Sequence, residues 1–296
     1  MSGLAIRTLE LPAPAYAGFT FPYFAAQLSA LAPPNVVALA LEDAGEPAGL
    51  GLARVEPAAG TADVLSLFVA APHRGQGWGT RLLAGLETAV RAAGARQIRV
   101  VYVAGAGTPA LEAVLRKCGW EPPVVRMILC KTDAAHILHA PWIKSARLGP
   151  GLEMFPWREL PPEMRAWIQA REGTPGWHPP TLSPFKDEPY YDPETSLGLR
   201  SHGELAGWVI THRVIPGSLR YTTVFVREDL RWRAPHLPMV AEVIRRQMAS
   251  SYYADTPYGM FNQPVDDPAV HRFFVKRLQD YVISTKESKG SWKRLP

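Results

Sequence analysis

Apolar positions along residues 1–130 follow two rhythms. Short runs at 5–9, 36–41, 50–55, 64–69, 97–103 and 124–129 are rich in Val, Leu and Ile and predict strands. Between them lie stretches with helical spacing. Leu82, Leu83, Leu86 and Val90 share one side of a helix that ends near Gly94, a left-handed cap. Leu111, Val114, Leu115 and Cys118 share one side of a second helix, which opens at the N-cap and first-turn pair Thr108-Pro109 and stops at Gly119. Residues 15–31, with Tyr16, Phe19, Tyr23, Phe24 and Leu28, read as one or two further helices. The turn Asp43-Ala44-Gly45-Glu46 joins two of the strands into a hairpin. The fold class is therefore α/β, an α+β mixed sheet.

The second half repeats the spacing of the first. Gly203-Glu204-Leu205-Ala206-Gly207-Trp208 echoes Gly45-Glu46-Pro47-Ala48-Gly49-Leu50, and Val224-Phe225-Val226 echoes Leu67-Phe68-Val69. Arg231 follows Val226 as Arg74 follows Val69, and Met239, Val240 and Val243 fall where Leu82, Leu83 and Leu86 fall. Spacing kept through successive elements points to a duplicated domain. Breakers at 140–141 and 148–151 place the boundary within 141–151, giving domains 1–140 and 151–296. A strand over 153–157 and a helix over 162–171 then open the second half.

Composition narrows the class. Hydrophobic residues at 47% and charged residues at 20% describe a globular protein with a core, and the apolar runs are too short to cross a bilayer. Two cysteines, Cys118 and Cys130, make no disulfide framework, and residues 1–7 lack the plan of a signal peptide, so a cytoplasmic location is expected. The net charge of +5 suits an acidic cofactor as well as a nucleic acid, but the basic residues are scattered without a dense run, which argues against nucleic acid. The eight histidines show no zinc spacing with cysteine, so no metal is expected.

The chemistry concentrates in Arg74-Gly75-Gln76-Gly77-Trp78-Gly79-Thr80, between a predicted strand and a predicted helix. Glycines let successive N–H groups turn toward one oxyanion, and a helix start adds unpaired donors and positive dipole. A Walker loop would need Lys-Ser/Thr after its last glycine, and a dinucleotide fingerprint would space its glycines G-x-G-x-x-G. Neither is present. The pattern Arg/Gln-x-x-Gly-x-Gly/Ala, read as Arg74, Gly77 and Gly79, resembles the coenzyme A loop of the GNAT N-acetyltransferase superfamily. Leu67-Phe68-Val69, Pro72 and Leu82-Leu83 resemble that family's central strand and following helix.

The resemblance implies two tandem GNAT-like acyl-CoA N-acyltransferase domains acting on acetyl-CoA and an amine acceptor. It implies that the backbone of Leu67, Phe68 and Val69 takes the pantetheine arm, and that Arg74, Gly75, Gln76, Gly77, Trp78, Gly79 and Thr80 take the pyrophosphate. It also places Asp63 where some members carry a glutamate base, against the plain alternative of a strand-edge aspartate. The family's acid, a tyrosine, is replaced by Leu115 in Leu115-Arg116-Lys117-Cys118-Gly119-Trp120. Tyr102 is a substitute donor or an ordinary core tyrosine. In the second half Trp232-Arg233-Ala234-Pro235-His236 replaces the glycine loop, so that half is expected to be degenerate, with an acceptor-site or structural role. The aromatic and acidic stretch 174–194 either walls the acceptor pocket or packs on the second domain. Two other readings stay open: a non-catalytic coenzyme A-binding or scaffolding protein, and a transfer-RNA-dependent aminoacyl transferase.

Overall fold

A computed structural model describes residues 3–29 and 35–296. The chain forms two compact units: Met1–Arg126 with Glu287–Pro296, and Met127–Lys286. In the first, β1 (Leu4–Thr8), β2 (Val36–Asp43), β3 (Glu46–Glu56) and β4 (Thr61–Val69) are neighbours in antiparallel order, and β5 (Gln97–Val103) joins β4 in parallel. Helices α1 (Pro22–Ser29), α2 (Trp78–Ala92) and α3 (Thr108–Lys117) complete it. The expected helical stretch 15–31 is a 3-10 turn, Pro14–Phe19, followed by α1; residues 30–31 lie outside the described residues.

Leu82, Leu83, Leu86 and Val90 of α2 are fully buried with Val55, Ala62 and Ile98 on one side of the sheet. Leu28, Tyr16, Leu50 and Leu52 form a second cluster. Each fully buried leucine contributes about 1.5–3 kcal/mol, so the stripe on α2 is what fixes the helix against the strands. Thr108 stands one place inside α3. Gly107 is the cap, and the Thr108 hydroxyl accepts from the Gly105 N–H at 2.8 Å.

The second unit holds β6 (Val124–Asp133) over its residues 127–133, then α4 (Ala134–Ile137), α5 (Pro141–Ser145), β7 (Leu152–Pro156) and α6 (Pro162–Gln169). Next come β8 (Leu197–Ser201), β9 (Glu204–Ile215), β10 (Ser218–Val226), α7 (His236–Ala249), β11 (Tyr258–Pro264) and α8 (Pro268–Arg277). Strands β7 to β10 are antiparallel neighbours, β10 and β11 are parallel, and β11 pairs antiparallel with β6.

The compact units divide the chain differently from the single cut expected within 141–151. Trp142 and Ile143 on α5 are buried, and the Trp142 indole N–H donates to the Arg277 carbonyl at 2.9 Å, so this segment belongs to the second unit's core. The last strand, β12 (Val282–Arg294), returns to the first unit, where 288–294 pair antiparallel with β5. Lys293 Nζ donates to Glu87 on α2 and to the Cys118 carbonyl, both at 2.6 Å. The Glu121 N–H donates to the Trp292 carbonyl at 3.0 Å, and the Ser291 hydroxyl to the Glu121 carbonyl at 2.6 Å. The strand carries few apolar residues, so hydrogen bonds rather than a hydrophobic run hold it in place.

Candidate active site

Strand β4 changes character at Leu65. Its register with β3 passes from Ala53–Val64 to Leu52–Ser66, leaving Leu65 as a bulge. The bulge reverses the side-chain alternation. Ala62, Val64 and Leu67 pack with the α2 stripe, while Leu65 packs with the Tyr16 and Leu28 cluster. Phe68 meets Phe19 at 5.4 Å between ring centroids. Pairing with β5 stops at the same point, since the parallel register covers only 61–64 against 97–100. Beyond it, β4 has one edge open.

Which backbone groups face that edge follows from the ladder. The Ala70 N–H donates to Ala48 at 2.8 Å, so by antiparallel alternation Phe68 bonds toward β3 and Leu67 and Val69 face away. The Phe68 carbonyl would lie 2.5 Å from a Cβ at Gly49, which explains the glycine opposite. Of the three residues predicted to take a pantetheine arm, Leu67 and Val69 thus have the free edge, while the Phe68 backbone is used by β3. The Val69 carbonyl itself accepts from Arg74 Nε at 2.8 Å.

The predicted loop follows directly. Gly75 and Gly77 have φ of +77° and +84°, with nothing within 4 Å of a built Cβ, so the backbone angle and not space requires glycine there. Gly77 is the N-cap of α2. The Arg74 N–H bonds to Ala71 and the Arg81 N–H to Gly77. Between them, among the described residues, the amides of Gly75, Gln76, Gly77, Trp78, Gly79 and Thr80 donate to no backbone carbonyl. Gln76 Nε2 donates to the Pro72 carbonyl at 3.1 Å, and the Arg81 guanidinium lies 4.7 Å over the Trp78 ring. Arg74 has no ion pair among the described residues. Its guanidinium lies 5.3 Å over Phe68. A run of free amides, a helix N-terminus and a cation fit a phosphate group.

Asp63 sits one residue before the last β4–β5 pair. Both of its oxygens accept from Arg99, Nε and Nη2 each at 2.9 Å, with both side chains nearly half exposed. Leu115 is buried in the α2 cluster and offers no proton. The Tyr102 hydroxyl donates to Glu112 at 2.8 Å, and Lys289 Nζ reaches the same oxygen at 3.2 Å. Burial, then the Glu112 carboxylate, raises the Tyr102 pKa, while the bonds from Tyr102 and Lys289 lower that of Glu112. This trio was invisible in the sequence because Lys289 arrives on β12. Cys118 is half-buried on the apolar face, and burial raises its pKa, as expected of an inert thiol.

The second unit has a similarly bulged strand but a different loop. Thr222 is the bulge, between the pairs Tyr221–Thr211 and Thr223–Ile210. A Cβ at Gly207 would meet the Phe225 carbonyl at 2.4 Å, and Arg231 Nε reaches the Val226 carbonyl at 3.4 Å. At the helix start, however, Pro235 and Pro238 have no N–H, and the Leu237 and Met239 amides bond to Ala234 and Pro235. Three rings of the stretch 174–194 pack inward, Trp177 and His178 edge-on against Trp208 and Phe225 and Phe185 tilted on Trp157, while Tyr190 is exposed. Among the described residues no group of three His, Cys, Asp or Glu side chains could hold a metal, and no helix is long and apolar enough to cross a membrane.

Residues 5–120 match the model of the Acetyltransferase (GNAT) family. No curated protein matches the chain. Among solved structures the chain is similar to a tandem GNAT protein from the clavulanic acid biosynthesis pathway, in a form without AcCoA. The TM-score is 0.72 at 13% identity, covering 99% of both chains. It is also similar to a GCN5-related N-acetyltransferase from Sphaerobacter thermophilus, with TM-score 0.63, 19% identity and coverage of 99% of this chain and 96% of that one. A probable N-acyltransferase from Enterococcus faecalis V583 gives 0.57 at 10% identity, over 100% of this chain and 73% of that one. The fold is that of the GNAT acetyltransferase superfamily.

Proposed function

We propose that the chain is an acetyl-CoA-dependent N-acyltransferase for a small amine, built from two tandem units of one fold, with the cofactor loop in the first alone. The observation that carries this reading is the run of free amides at 75–80, set where β4 loses its β5 partner. The duplication is supported by the bulges at Leu65 and Thr222 and by the tight glycines Gly49 and Gly207. The Arg74–Val69 and Arg231–Val226 bonds support it further.

In this reading the amides of Gly75, Gln76, Gly77, Trp78, Gly79 and Thr80, with Arg74, hold the pyrophosphate. The free edge at Leu67 and Val69 takes the pantetheine arm. Bound acetyl-CoA supplies an activated thioester. Asp63 accepts the amine proton, directly or through water. Its pair with Arg99 is exposed enough to be worth about 0–1 kcal/mol, and each oxygen keeps a second lone pair. Phe19 and Phe68, on the sheet face that Asp63 shares, form an apolar wall for the acceptor. The free thiols Cys118 and Cys130 suit a reducing, cytoplasmic compartment.

A second reading, a coenzyme A-binding protein without turnover, is favoured by buried Leu115 and by the hold of Arg99 on Asp63. Thiol release from acetyl-CoA over a panel of small amines separates the two. Amine-dependent release supports the transferase. Tight binding of acetyl-CoA with no release for any amine supports the binder.

A further inference from the structure

The second unit contains a cavity of about 620 Å³, lined wholly by its own residues. It lies where β10 and β11 part company: their parallel register covers only 218–220 against 258–260, and the diverging ends line the space, closed over by α7 and α8. The walls are mainly apolar, with Tyr221, Val224, Val240, Ile244, Phe261 and Phe274. The volume falls in the range of about 300–1,000 Å³ that holds small molecules.

Polarity is distributed unevenly. Polar groups in the interior are satisfied by the protein. Gln247, fully buried, donates to the Thr256 and Tyr258 carbonyls at 2.8 and 3.0 Å and accepts from Tyr221 at 3.3 Å. Buried Thr132 donates to the Gly259 carbonyl at 3.3 Å. That end has no polar demand on a ligand and prefers an apolar one. At the open end stand exposed Arg231 and half-buried His236. No carboxylate pairs with Arg231 among the described residues. The acidic lining residue, Asp267, accepts from the Val270 N–H at 3.0 Å at the start of α8.

We propose that this cavity binds an apolar monocarboxylic acid, its hydrocarbon or aryl body between β10, β11 and α7 and its carboxylate on Arg231. The missing amides at Pro235 and Pro238 deny the site a pyrophosphate, and Arg231, the one arginine or lysine in the lining among the described residues, offers a partner to one carboxylate. The site is thus distinct from the loop at 75–80 and does not depend on it.

Titration of the full chain with decanoate and with decanol, followed by calorimetry, tests this. Decanoate should bind at one molecule per chain, and Gly77→Asp should not change its affinity. Arg231→Gln should weaken decanoate about tenfold or more, the worth of a charge-assisted hydrogen bond, and leave decanol unchanged. Val240→Trp, which fills the space, should remove both. Should that variant fail to fold, the Arg231→Gln comparison decides. Three results overturn the proposal: no decanoate binding to the wild type, equal effects of Arg231→Gln on acid and alcohol, or displacement of decanoate by coenzyme A in Gly77→Asp.

Discussion

Arg74 turns its Nε back to the carbonyl of Val69, 2.8 Å away, and so ties the glycine loop to the free edge of β4. One side chain thereby links the strand end to the loop start, and in the proposed reading its terminal nitrogens face the pyrophosphate. Arg74→Gln keeps a donor where Nε stands but loses the terminal nitrogens and the charge. Its acetyl-CoA dissociation constant should rise about tenfold or more, from a charge-assisted bond worth about 1.5–3 kcal/mol. Calorimetry that finds unchanged affinity would remove Arg74 from the site.

Asp63 gives a separate readout. Asp63→Asn keeps the shape and cannot accept a proton. Turnover should fall about 10²–10⁴-fold while acetyl-CoA affinity stays near wild type. Because Arg99 loses its ion pair in this variant, Arg99→Gln serves as the control for a merely structural effect. If both variants lose the same modest amount of activity, Asp63 is a strand-edge residue held by Arg99.

The first unit should not survive without its last strand. The sequence pattern closes the first domain at residue 140, yet β12 brings the ladder with β5 and the Lys293 bonds to Glu87 and Cys118. Each hydrogen bond is worth about 1 kcal/mol net, against a typical total stability of about 5–15 kcal/mol. Residues 1–126 alone should be unfolded or molten by circular dichroism. The same fragment with 287–296 joined through a flexible linker should regain structure and bind acetyl-CoA. Cooperative unfolding of 1–126 without the strand would contradict this.

Stability of the second unit should depend on histidine protonation. His178 is fully buried among Trp177, Trp208 and Phe225, with Glu172 at 3.5 Å, and burial lowers its pKa below the ordinary 6.5. Burial lowers that of His212 as well. Below about pH 6.5 the unfolded chain binds these protons and the folded one does not. Stability is therefore full above that pH and falls as pH drops from it toward the folded values. His178→Phe should flatten part of this slope in denaturant melts followed by tryptophan fluorescence. An unchanged slope would mean that other groups set the acid limit.

The parts legible in the sequence share a physical cause. Strands such as β4 and β5 and the stripe on α2 are written as apolar periodicity, and the loop at 75–80 as glycines at a helix start. The chain's return was not legible. β12 is mostly exposed and polar, so it shows no strand rhythm, and its position rests on partners far away in sequence. For the same reason Glu112 and Lys289 beside Tyr102 could not be read in advance. The boundary expected at 141–151 does not coincide with the division into compact units, because prolines and glycines there punctuate a buried segment, with Trp142 and Ile143 inside the second core. The bulges at Leu65 and Thr222 are a matter of register, which composition does not encode.

On the proposed reading one coenzyme A molecule binds per chain, on the amides at 75–80. Calorimetric titration of acetyl-CoA into the full-length wild type, Gly77→Asp and Pro235→Ala measures it most directly. We predict one site in the wild type, no detectable binding in Gly77→Asp, where a carboxylate would face the pyrophosphate, and wild-type affinity in Pro235→Ala. Two molecules per wild-type chain, or binding that persists in folded Gly77→Asp, would contradict the account.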